Sequence, residues 1–189
     1  MGPNHLSTLE TKDRYSRILT HLKKLQKAKK VAEEVIRKRG ELLGSFHSDT
    51  LASKSNYANI LKNLRKYKEA EKIEWEVLRS KERVLGPSHP DTLRSKRNYA
   101  VTLNERQKYR EATKILLEVI EKSEQVVGAT HPDTLAAKLN YADTLHWLKE
   151  SKEAEKTYKE VVGKSDEALG IGHPISLRAR LNWAANLAD

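Results

Sequence analysis

Histidine is the residue type in this sequence whose spacing most directly suggests chemistry. Imidazole is a common metal ligand and a common general base. Ser88, His89 and Asp91 together also supply the three residue types of a hydrolytic triad. Five histidines recur at intervals of 42 residues, at His5, His47, His89, His131 and His173. Two candidate sites follow, a metal site shared by these histidines and a hydrolytic site.

The spacing argues against both candidate sites. A zinc–nitrogen bond is about 2 Å long, whereas packed helices lie about 8–10 Å apart, so histidines one period apart cannot share an ion. Triad residues converge from separate elements, but Ser88, His89 and Asp91 are nearly consecutive and their string recurs in other copies. The sequence contains no phosphate loop, metal-ligand helix or nucleophile motif. We therefore predict no enzymatic activity, no cofactor and no metal, and a local role for the histidines at the turn between copies.

The composition excludes several further classes of protein. The sequence of 189 residues has no cysteine, which rules out a disulfide scaffold, cysteine-ligated zinc and a cysteine nucleophile. No apolar run approaches the roughly 20 residues that span a bilayer, and we predict a cytoplasmic protein. Aromatic residues make up only 6% of the chain and charged residues 33%. So few aromatic residues suit a protein that buries its apolar faces in successive layers rather than in one thick core.

The elements that position the histidines recur with the same 42-residue period. The string at 89–93, His-Pro-Asp-Thr-Leu, returns at 131–135, and altered forms stand at 47–51 and 173–177. Asn-Tyr-Ala recurs at 56–58, 98–100 and 140–142, followed by Asn-Trp-Ala at 182–184. Glycine keeps the same register at Gly2, Gly44, Gly86, Gly128 and Gly170.

Each copy is predicted to form two helices, A and B. Helix A begins at the histidine string, with Ser88 and Thr130 as expected N-caps and proline in the first turn. Phe46 interrupts the cap pattern, so the helix after it is expected to start more weakly. The recurring glycines follow helix B, where a left-handed C-terminal cap favours glycine. Offsets of 3, 4, 7 and 8 residues mark helix B as amphipathic, as at Ala28, Val31, Ala32, Val35, Ile36, Leu42 and Leu43.

These markers together resemble the kinesin-light-chain type of tetratricopeptide repeat. The resemblance rests on the segment 85–93, on Asn-Tyr-Ala at 98–100 and on Tyr109-x-Glu111-Ala112. Repeats of this type also follow NB-ARC domains in fungal and bacterial signalling proteins. The first copy departs from the pattern, since Arg-Tyr-Ser stands at 14–16 and Leu25 replaces the hairpin tyrosine, as Ser151 does in the fourth.

The resemblance implies an all-α fold, a right-handed α-solenoid of antiparallel helix hairpins with about four and a half repeats. WD40 blades share the period, but the segments here are rich in helix-forming Lys, Glu, Ala, Leu and Arg. HEAT and armadillo units are not expected to carry the Tyr-x-Glu-Ala element. The predicted domain is a single array over residues 1–189, with units 5–46, 47–88, 89–130, 131–172 and a half unit 173–189.

The resemblance also implies a peptide-binding groove on the concave surface formed by the A helices. Asparagine recurs there once per copy, and each amide offers two donors and an acceptor to an extended peptide. The alternative is that these amides bond the backbone of neighbouring helices within the array. Carried onto this sequence, the predicted groove residues are Asn56, Asn59, Lys62, Arg94, Arg97, Asn98, Asn140, His146, Trp147, Arg178 and Asn182.

The cations of this set define the expected ligand. Arginine can hold a carboxylate through two parallel hydrogen bonds, so Arg94, Arg97 and Arg178 favour an acidic or C-terminally anchored peptide. Trp147 or Leu139 would accept one apolar anchor. The alternative is a charged face that only meets solvent. We predict a scaffold or adaptor that binds a protein or peptide partner, with no membrane partner.

Two other functions compete with this one. The last helix has no helix B, so its apolar residues predict self-association or packing on other domains, unless this helix simply caps the fourth unit; they are Leu177, Leu181, Trp183, Ala184 and Leu187. The net charge of +10 is concentrated near the N-terminal end, where a lysine- and arginine-rich cluster predicts contact with nucleic acid. Nucleic acid ranks third, because no aromatic platform accompanies the cluster. Its main members are Lys23, Lys24, Lys27, Lys29, Lys30, Arg37, Lys38 and Arg39.

Overall fold

A computed structural model describes residues 5–188 of the chain, and the part it describes consists of nine α-helices joined by short turns. Gly2 and Asp189, both placed by the predicted register and units, lie outside these residues. The helices are α1 (Leu6–His21), α2 (Leu25–Leu43), α3 (Ser48–Asn63), α4 (Tyr67–Leu85), α5 (Pro90–Glu105), α6 (Tyr109–Val126), α7 (Pro132–Trp147), α8 (Ser151–Leu169) and α9 (Pro174–Ala188).

The helices pack as sequential antiparallel pairs, which confirms the predicted all-α, tetratricopeptide-like solenoid class. The odd-numbered helices correspond to predicted helix A and the even-numbered ones to helix B. The contacts divide the chain into two compact units, Met1–Ser80 and Lys81–Asp189. In the first unit α2 packs against α1 and α3; in the second, α5 to α9 pack each against the next. The division into four and a half sequence units stays a prediction.

The recurring histidines are the N-caps of the A helices. The Nδ1 atoms of His47, His89 and His131 each accept a hydrogen bond from the backbone N–H two residues later, at 3.2, 3.1 and 3.1 Å. The predicted caps Ser88 and Thr130 were therefore wrong, since each lies one residue before the cap. The predicted local role of the histidines is confirmed, because imidazole nitrogen replaces the usual side-chain oxygen as the acceptor.

Two details of the helix ends follow from these caps. The weaker start expected after Phe46 was wrong, because His47 itself caps α3 and needs no help from the residue before it. Glycine follows helix B as predicted, but its conformation differs from a left-handed helical cap. Gly44 and Gly170 have φ of 92° and 91° with ψ of 158° and 153°. This extended region at positive φ is essentially restricted to glycine.

Alanine and leucine form the buried core between A and B helices. In the second unit Leu103 of α5 packs with Ala112 and Leu116 of α6. In the first, Ile60 of α3 packs with Ala28 and Ala32 of α2. The predicted apolar face of helix B ends early, because Leu42 and Val126 are about half exposed. Both lie in the last turn of helices that are 19 and 18 residues long, whereas the neighbouring A helices have 16.

Candidate protein-binding surface

Three neighbouring A helices of the second unit, α5, α7 and α9, form a continuous surface that we call the A-helix face. Side chains close to 40 residues apart meet across it. Asn104 Nδ2 donates to Thr144 Oγ1 at 2.7 Å, and His146 Nδ1 lies 3.1 Å from Asn186 Oδ1. Eight of the eleven predicted groove residues belong to this unit: Arg94, Arg97, Asn98, Asn140, His146, Trp147, Arg178 and Asn182.

Arg94 and Arg97 of α5 both bind Asp133 in the first turn of α7. Arg97 lies 3.1 Å from one carboxylate oxygen of Asp133 and also donates to its backbone carbonyl at 3.2 Å. Arg94 lies 3.3 Å from the other oxygen and 3.1 Å from Asp91. Arg97 is mostly buried, whereas half of the Arg94 side chain is exposed. Two carboxylates of the fold itself, Asp91 and Asp133, thus offset part of the positive charge of the predicted groove.

Burial and neighbouring charges together shift the pKa values of Asp133 and Arg97. Burial raises the pKa of Asp133, but the charges of Arg97 and Arg94 outweigh it and hold the pKa below its usual value. Burial lowers the pKa of the Arg97 guanidinium, against the opposing effect of Asp133. A small cavity of about 10 Å³ lies beside these three residues, which is room for about one water molecule.

Asp143 of α7 is the second carboxylate of the A-helix face. It accepts hydrogen bonds from Arg178 at 2.6 Å, Asn182 at 2.7 Å and the Tyr158 hydroxyl at 2.8 Å. Arg178 uses the same nitrogen, Nη2, to reach Asn140 Oδ1 at 3.0 Å. Burial and the nearby Asp143 carboxylate raise the pKa of Tyr158. Neighbouring A helices are therefore joined through their acidic residues.

The predicted asparagine series is largely used inside the fold. In the second unit Asn140 accepts from Arg178 and Asn182 donates to Asp143. In the first unit Asn56 donates to Asp13 at 2.8 Å. These partners are side chains rather than the helix backbone of the alternative considered above. Asn98 is half-buried and differs from the others, because its side chain makes no hydrogen bond to any residue that the structure describes.

The exposed part of the A-helix face is aromatic and cationic. Trp147 is largely exposed at the end of α7 and meets the ring of His146 edge-to-face, with 5.4 Å between their centroids. Half of the Arg94 and Arg178 side chains also reaches solvent. The anchor role predicted for Leu139 was wrong, because Leu139 is buried in the core formed with α8. Of the two predicted anchor positions, Trp147 is the exposed one.

The predicted groove residues of the first unit lie on α3. Asn59 is exposed, and its backbone carbonyl accepts from Asn63 at 2.9 Å. Lys62 is mostly buried and lies 2.9 Å from Glu74, whose side chain is almost completely covered. Lys62 is thus compensated by a buried carboxylate, and it adds little positive charge to the surface.

Two family models described as tetratricopeptide repeat match the chain, one at residues 8–49 and 50–91 and the other at residues 91–167. The chain belongs to the tetratricopeptide-repeat family. Tetratricopeptide repeats are generally protein–protein interaction modules and are typically non-catalytic. A search of curated proteins gives no match.

Solved structures of similar repeats agree with this assignment. One is a variant of a Podosopora anserina protein of the kinesin-light-chain type, whose TPR-like repeats are nearly identical to one another. It matches this chain with a TM-score of 0.81 at 22% identity, and the match covers 100% of this chain and 88% of that one. BtubC (BKLC) from P. vanneervenii matches with a TM-score of 0.80 at 14% identity, covering 96% and 72%. The resemblance to kinesin-light-chain-type repeats is thereby confirmed at the level of the fold.

A second periodic pattern in these tetratricopeptide repeats escaped the sequence analysis. In each hairpin a lysine of helix A binds a glutamate of helix B that lies 22 residues later. Both residue types recur every 42 residues, and this shared period was the signal that could have revealed the pairs. The pairs are Lys12–Glu34, Lys54–Glu76, Lys96–Glu118 and Lys138–Glu160, with N–O distances of 2.7, 2.5, 2.7 and 2.5 Å.

In the second unit these lysines bind carboxylates on both sides. Lys138 lies 2.7 Å from Glu124 of the preceding helix B and 2.5 Å from Glu160 of its own hairpin. Burial lowers the pKa of Lys138, but its hydrogen bonds to the two glutamates outweigh burial and raise the pKa. Lys138 thus links the two B helices that flank its own helix A.

Removal of the Lys138 charge is expected to destabilise the second unit. Lys138→Met keeps most of the aliphatic chain but leaves two facing carboxylates without their shared cation. Because those glutamates remain partly exposed, we expect a loss of about 1–2 kcal/mol in the free energy of unfolding. Urea unfolding followed by circular dichroism measures the loss.

Lys152→Met is the matched control, because Lys152 is exposed on α8 and makes no ion pair with the residues that the structure describes. Its free energy of unfolding is expected to stay within about 0.5 kcal/mol of the parent. Equal losses for the two variants would show that the paired glutamates do not depend on Lys138.

The basic cluster near the N-terminal end is partly used within the repeats. Lys29, Arg37 and Lys38 lie within 3.3 Å of glutamates on α2. Arg39 is buried and donates to the backbone carbonyl of Asp49 at 3.0 Å. Lys23 also donates to Asn63 at 3.4 Å, and Lys27 lies over the ring of Tyr15. Six of the eight members are therefore engaged internally, which reduces the charge available for nucleic acid.

Two further site classes can be described for residues 5–188. Over that range no group of three or more His, Asp or Glu side chains has the arrangement of a metal site. None of the helices between those limits has both the length and the apolar character needed to cross a membrane.

Proposed function

We propose that this protein is a scaffold or adaptor that binds an extended, acidic segment of another protein on the A-helix face of the second unit. The single observation behind this proposal is the pair of half-exposed arginines, Arg94 on α5 and Arg178 on α9. They belong to alternate A helices, with α7 between them. An extended peptide crossing the face can present a carboxylate to each.

Both arginines keep donors for a ligand in spite of their internal partners. A guanidinium has five N–H groups in a planar fork. Arg178 uses Nη2 for both of its internal bonds, to Asn140 and Asp143, so its Nη1 and Nε remain for a carboxylate. Arg97 is different, because burial and Asp133 commit it to the fold. Arg97 therefore supports the surface rather than the ligand.

The internal carboxylates also shape the expected selectivity. Asp133 and Asp143 offset much of the positive charge of the face, so long-range attraction of any polyanion is weak. Recognition then depends on local hydrogen bonds between arginine and carboxylate, which are short and directional. Trp147 adds an exposed aromatic surface on the helix between the two arginines. The favoured ligand is a peptide with spaced carboxylates and one apolar side chain.

The test is binding of labelled peptides to the full chain. The strongest binder from a library of acidic peptides is remade with Gln in place of each Glu, and both forms are titrated by fluorescence anisotropy. Loss of the charge-assisted bonds in Arg94→Gln plus Arg178→Gln is expected to weaken binding at least about tenfold, since each such bond contributes about 1.5–3 kcal/mol. The affinity of the parent protein for the Gln peptide is expected to be lower than for the acidic peptide by a similar factor.

Arg110→Gln is the matched control, because Arg110 is exposed on α6, outside the A-helix face. It is expected to leave the affinity unchanged. Circular dichroism confirms that each variant keeps its helices. If the double variant binds the acidic peptide as tightly as the parent does, the A-helix face is not the binding surface.

A further inference from the structure

The turns between helix A and helix B in the first unit concentrate positive charge. Residues 14–32, which include the α1–α2 turn, contain seven lysines and arginines and no acidic residue. Residues 50–68, which include the α3–α4 turn, contain five and again no acidic residue. Over the turns themselves, at 21–27 and 63–69, six cations accompany a single carboxylate, that of Glu69. We call the six cations the basic edge: Lys23, Lys24, Lys27, Arg65, Lys66 and Lys68.

The two turns of the basic edge lie side by side. α1 packs against α3 as well as against α2, and Lys23 Nζ lies 3.4 Å from Asn63 Oδ1 at the end of α3. Each turn is closed by the same backbone hydrogen bond, in which the N–H of Lys24 or Lys66 donates to the carbonyl five residues earlier at 2.9 Å. The cations are therefore held together at one end of two neighbouring hairpins.

Most of the charge of the basic edge is not neutralised within the fold. All six side chains are exposed. Lys66 lies 2.6 Å from Glu69 in an exposed ion pair, which contributes little. Lys23 lies against an amide and Lys27 against an aromatic ring, and both of these partners are uncharged. The other three make no ion pair within residues 5–188; they are Lys24, Arg65 and Lys68.

This charge is not a requirement of the repeat. Three copies carry glutamate in the first turn of helix B, at Glu69, Glu111 and Glu153, whereas the first copy has Lys27. The α7–α8 turn has positive φ at the same register as the turns of the basic edge, yet residues 147–153 contain two lysines and two glutamates. Because the same turn forms without an excess of cations, the basic edge is a local feature of the first unit.

An exposed set of cations of this density favours a ligand with a high density of negative charge. Five of the six are lysines, whose ammonium groups act as compact point charges rather than as the planar forks of arginine. A nucleic-acid duplex carries one negative charge per about 1.7 Å of its axis. An extended peptide advances about 3.3–3.6 Å per residue, so even a run of acidic residues has a lower density. The duplex is therefore the better match.

The missing aromatic platform, which placed nucleic acid third among the predicted functions, concerns single strands. Unpaired bases stack on aromatic side chains of the protein, whereas the bases of a duplex already stack on one another. Contacts to the phosphates of a duplex need only cations, and they carry no sequence information of their own.

We propose that the basic edge binds the phosphate backbone of a nucleic-acid duplex without reading its bases. Its six residues belong to the first unit, whereas the A-helix face belongs to the second, and the two surfaces share no residue. Binding of a duplex and binding of an acidic peptide can therefore each fail without the other.

The test is titration of the full chain into labelled DNA duplexes of about 20 base pairs, followed by anisotropy between about 50 and 200 mM salt. Two duplexes of unrelated sequence are expected to bind equally. The slope of log K against log salt is expected to be about −0.9 for each contacted phosphate, or about −5 if all six cations make a contact. Arg94→Gln plus Arg178→Gln, which alters only the A-helix face, is expected to leave this binding unchanged.

Arg65→Gln plus Lys68→Gln is expected to reduce the magnitude of the slope by about 2 and to weaken binding roughly tenfold or more at about 0.1 M salt. Glutamine already stands at both registers in other copies, at Gln107 and Gln26, so the variant is expected to keep its fold. The matched control removes two charges at the same registers 84 residues later, by Lys149→Gln plus Lys152→Gln. Its affinity and slope are expected to stay close to those of the parent.

Four outcomes would overturn the proposal. The first is no binding of either duplex at about 0.1 mM protein and the lowest salt, since non-specific binding is normally tighter than this. The second is equal weakening by the two double variants, which would mean that binding follows total charge rather than the basic edge. The third is tighter binding of polyglutamate than of the duplex, which would assign the edge to acidic proteins. The fourth is binding of phosphatidylserine vesicles but not of the duplex, which would assign it to a membrane surface.

Discussion

Leu139→Ala is expected to lower the free energy of unfolding by about 2–5 kcal/mol, the range for truncating a fully buried leucine. Leu139 is 1% exposed and packs in the cluster that joins α7, α8 and α9. Truncation removes apolar contacts and leaves a cavity that tightly packed neighbours fill only in part. Urea unfolding of the full chain, followed by circular dichroism, measures the loss from the shift of the transition midpoint.

Leu181→Ala is the matched variant one period later. The residue type, the helix type and the register are the same, but Leu181 is 70% exposed. Its truncation is expected to change the free energy of unfolding by less than about 0.5 kcal/mol, as at other surface positions. Similar losses at the two positions would contradict the difference in burial between Leu139 and Leu181.

Gly170→Ala is expected to destabilise the protein by about 1–3 kcal/mol, because Gly170 caps α8 with φ of 91° and ψ of 153°. A side chain rarely adopts this conformation. A Cβ atom placed there would meet no other atom within 4 Å, so the loss comes from the backbone conformation rather than from a clash. Thermal and urea unfolding both measure it.

Gly163→Ala provides a control with the same chemical change in the same helix. Gly163 lies inside α8, and a Cβ atom there also meets nothing within 4 Å. Alanine is favoured over glycine inside a helix by roughly 0.5–1 kcal/mol, so this variant is expected to be more stable than the parent. Effects of the same sign at the two glycines would contradict the assigned cap conformation.

Much of the local structure could be predicted from the sequence because the repeat marks it several times over. The histidine string located the starts of the A helices, and proline at 90 and 132 stands in the first turn as predicted. The identity of the cap was missed, because side-chain oxygens are the usual N-caps and Ser88 stood next to the correct residue. The Lys–Glu pairs could have been predicted from the same repeat, since both members follow the 42-residue period.

The candidate site was less predictable, because its side chains meet across helices that are far apart in the chain. Arg97 meets the residue 36 positions later, and Arg178 meets the one 35 positions earlier. Neither spacing equals the period, since the shift between neighbouring A helices depends on how the hairpins pack. The pairing of the arginines with Asp133 and Asp143 could therefore not be inferred from the register alone.

The sequence by itself determined the helices, their period and the approximate positions of their ends, because these depend on contacts within a few residues of chain. Only the tertiary structure decided which equivalent residues are buried. Leu139 and Leu181 occupy the same register, yet one packs under α8 and the other faces solvent. The physical reason is that burial depends on whether a neighbouring helix covers the position, and a residue's place in the repeat does not determine that.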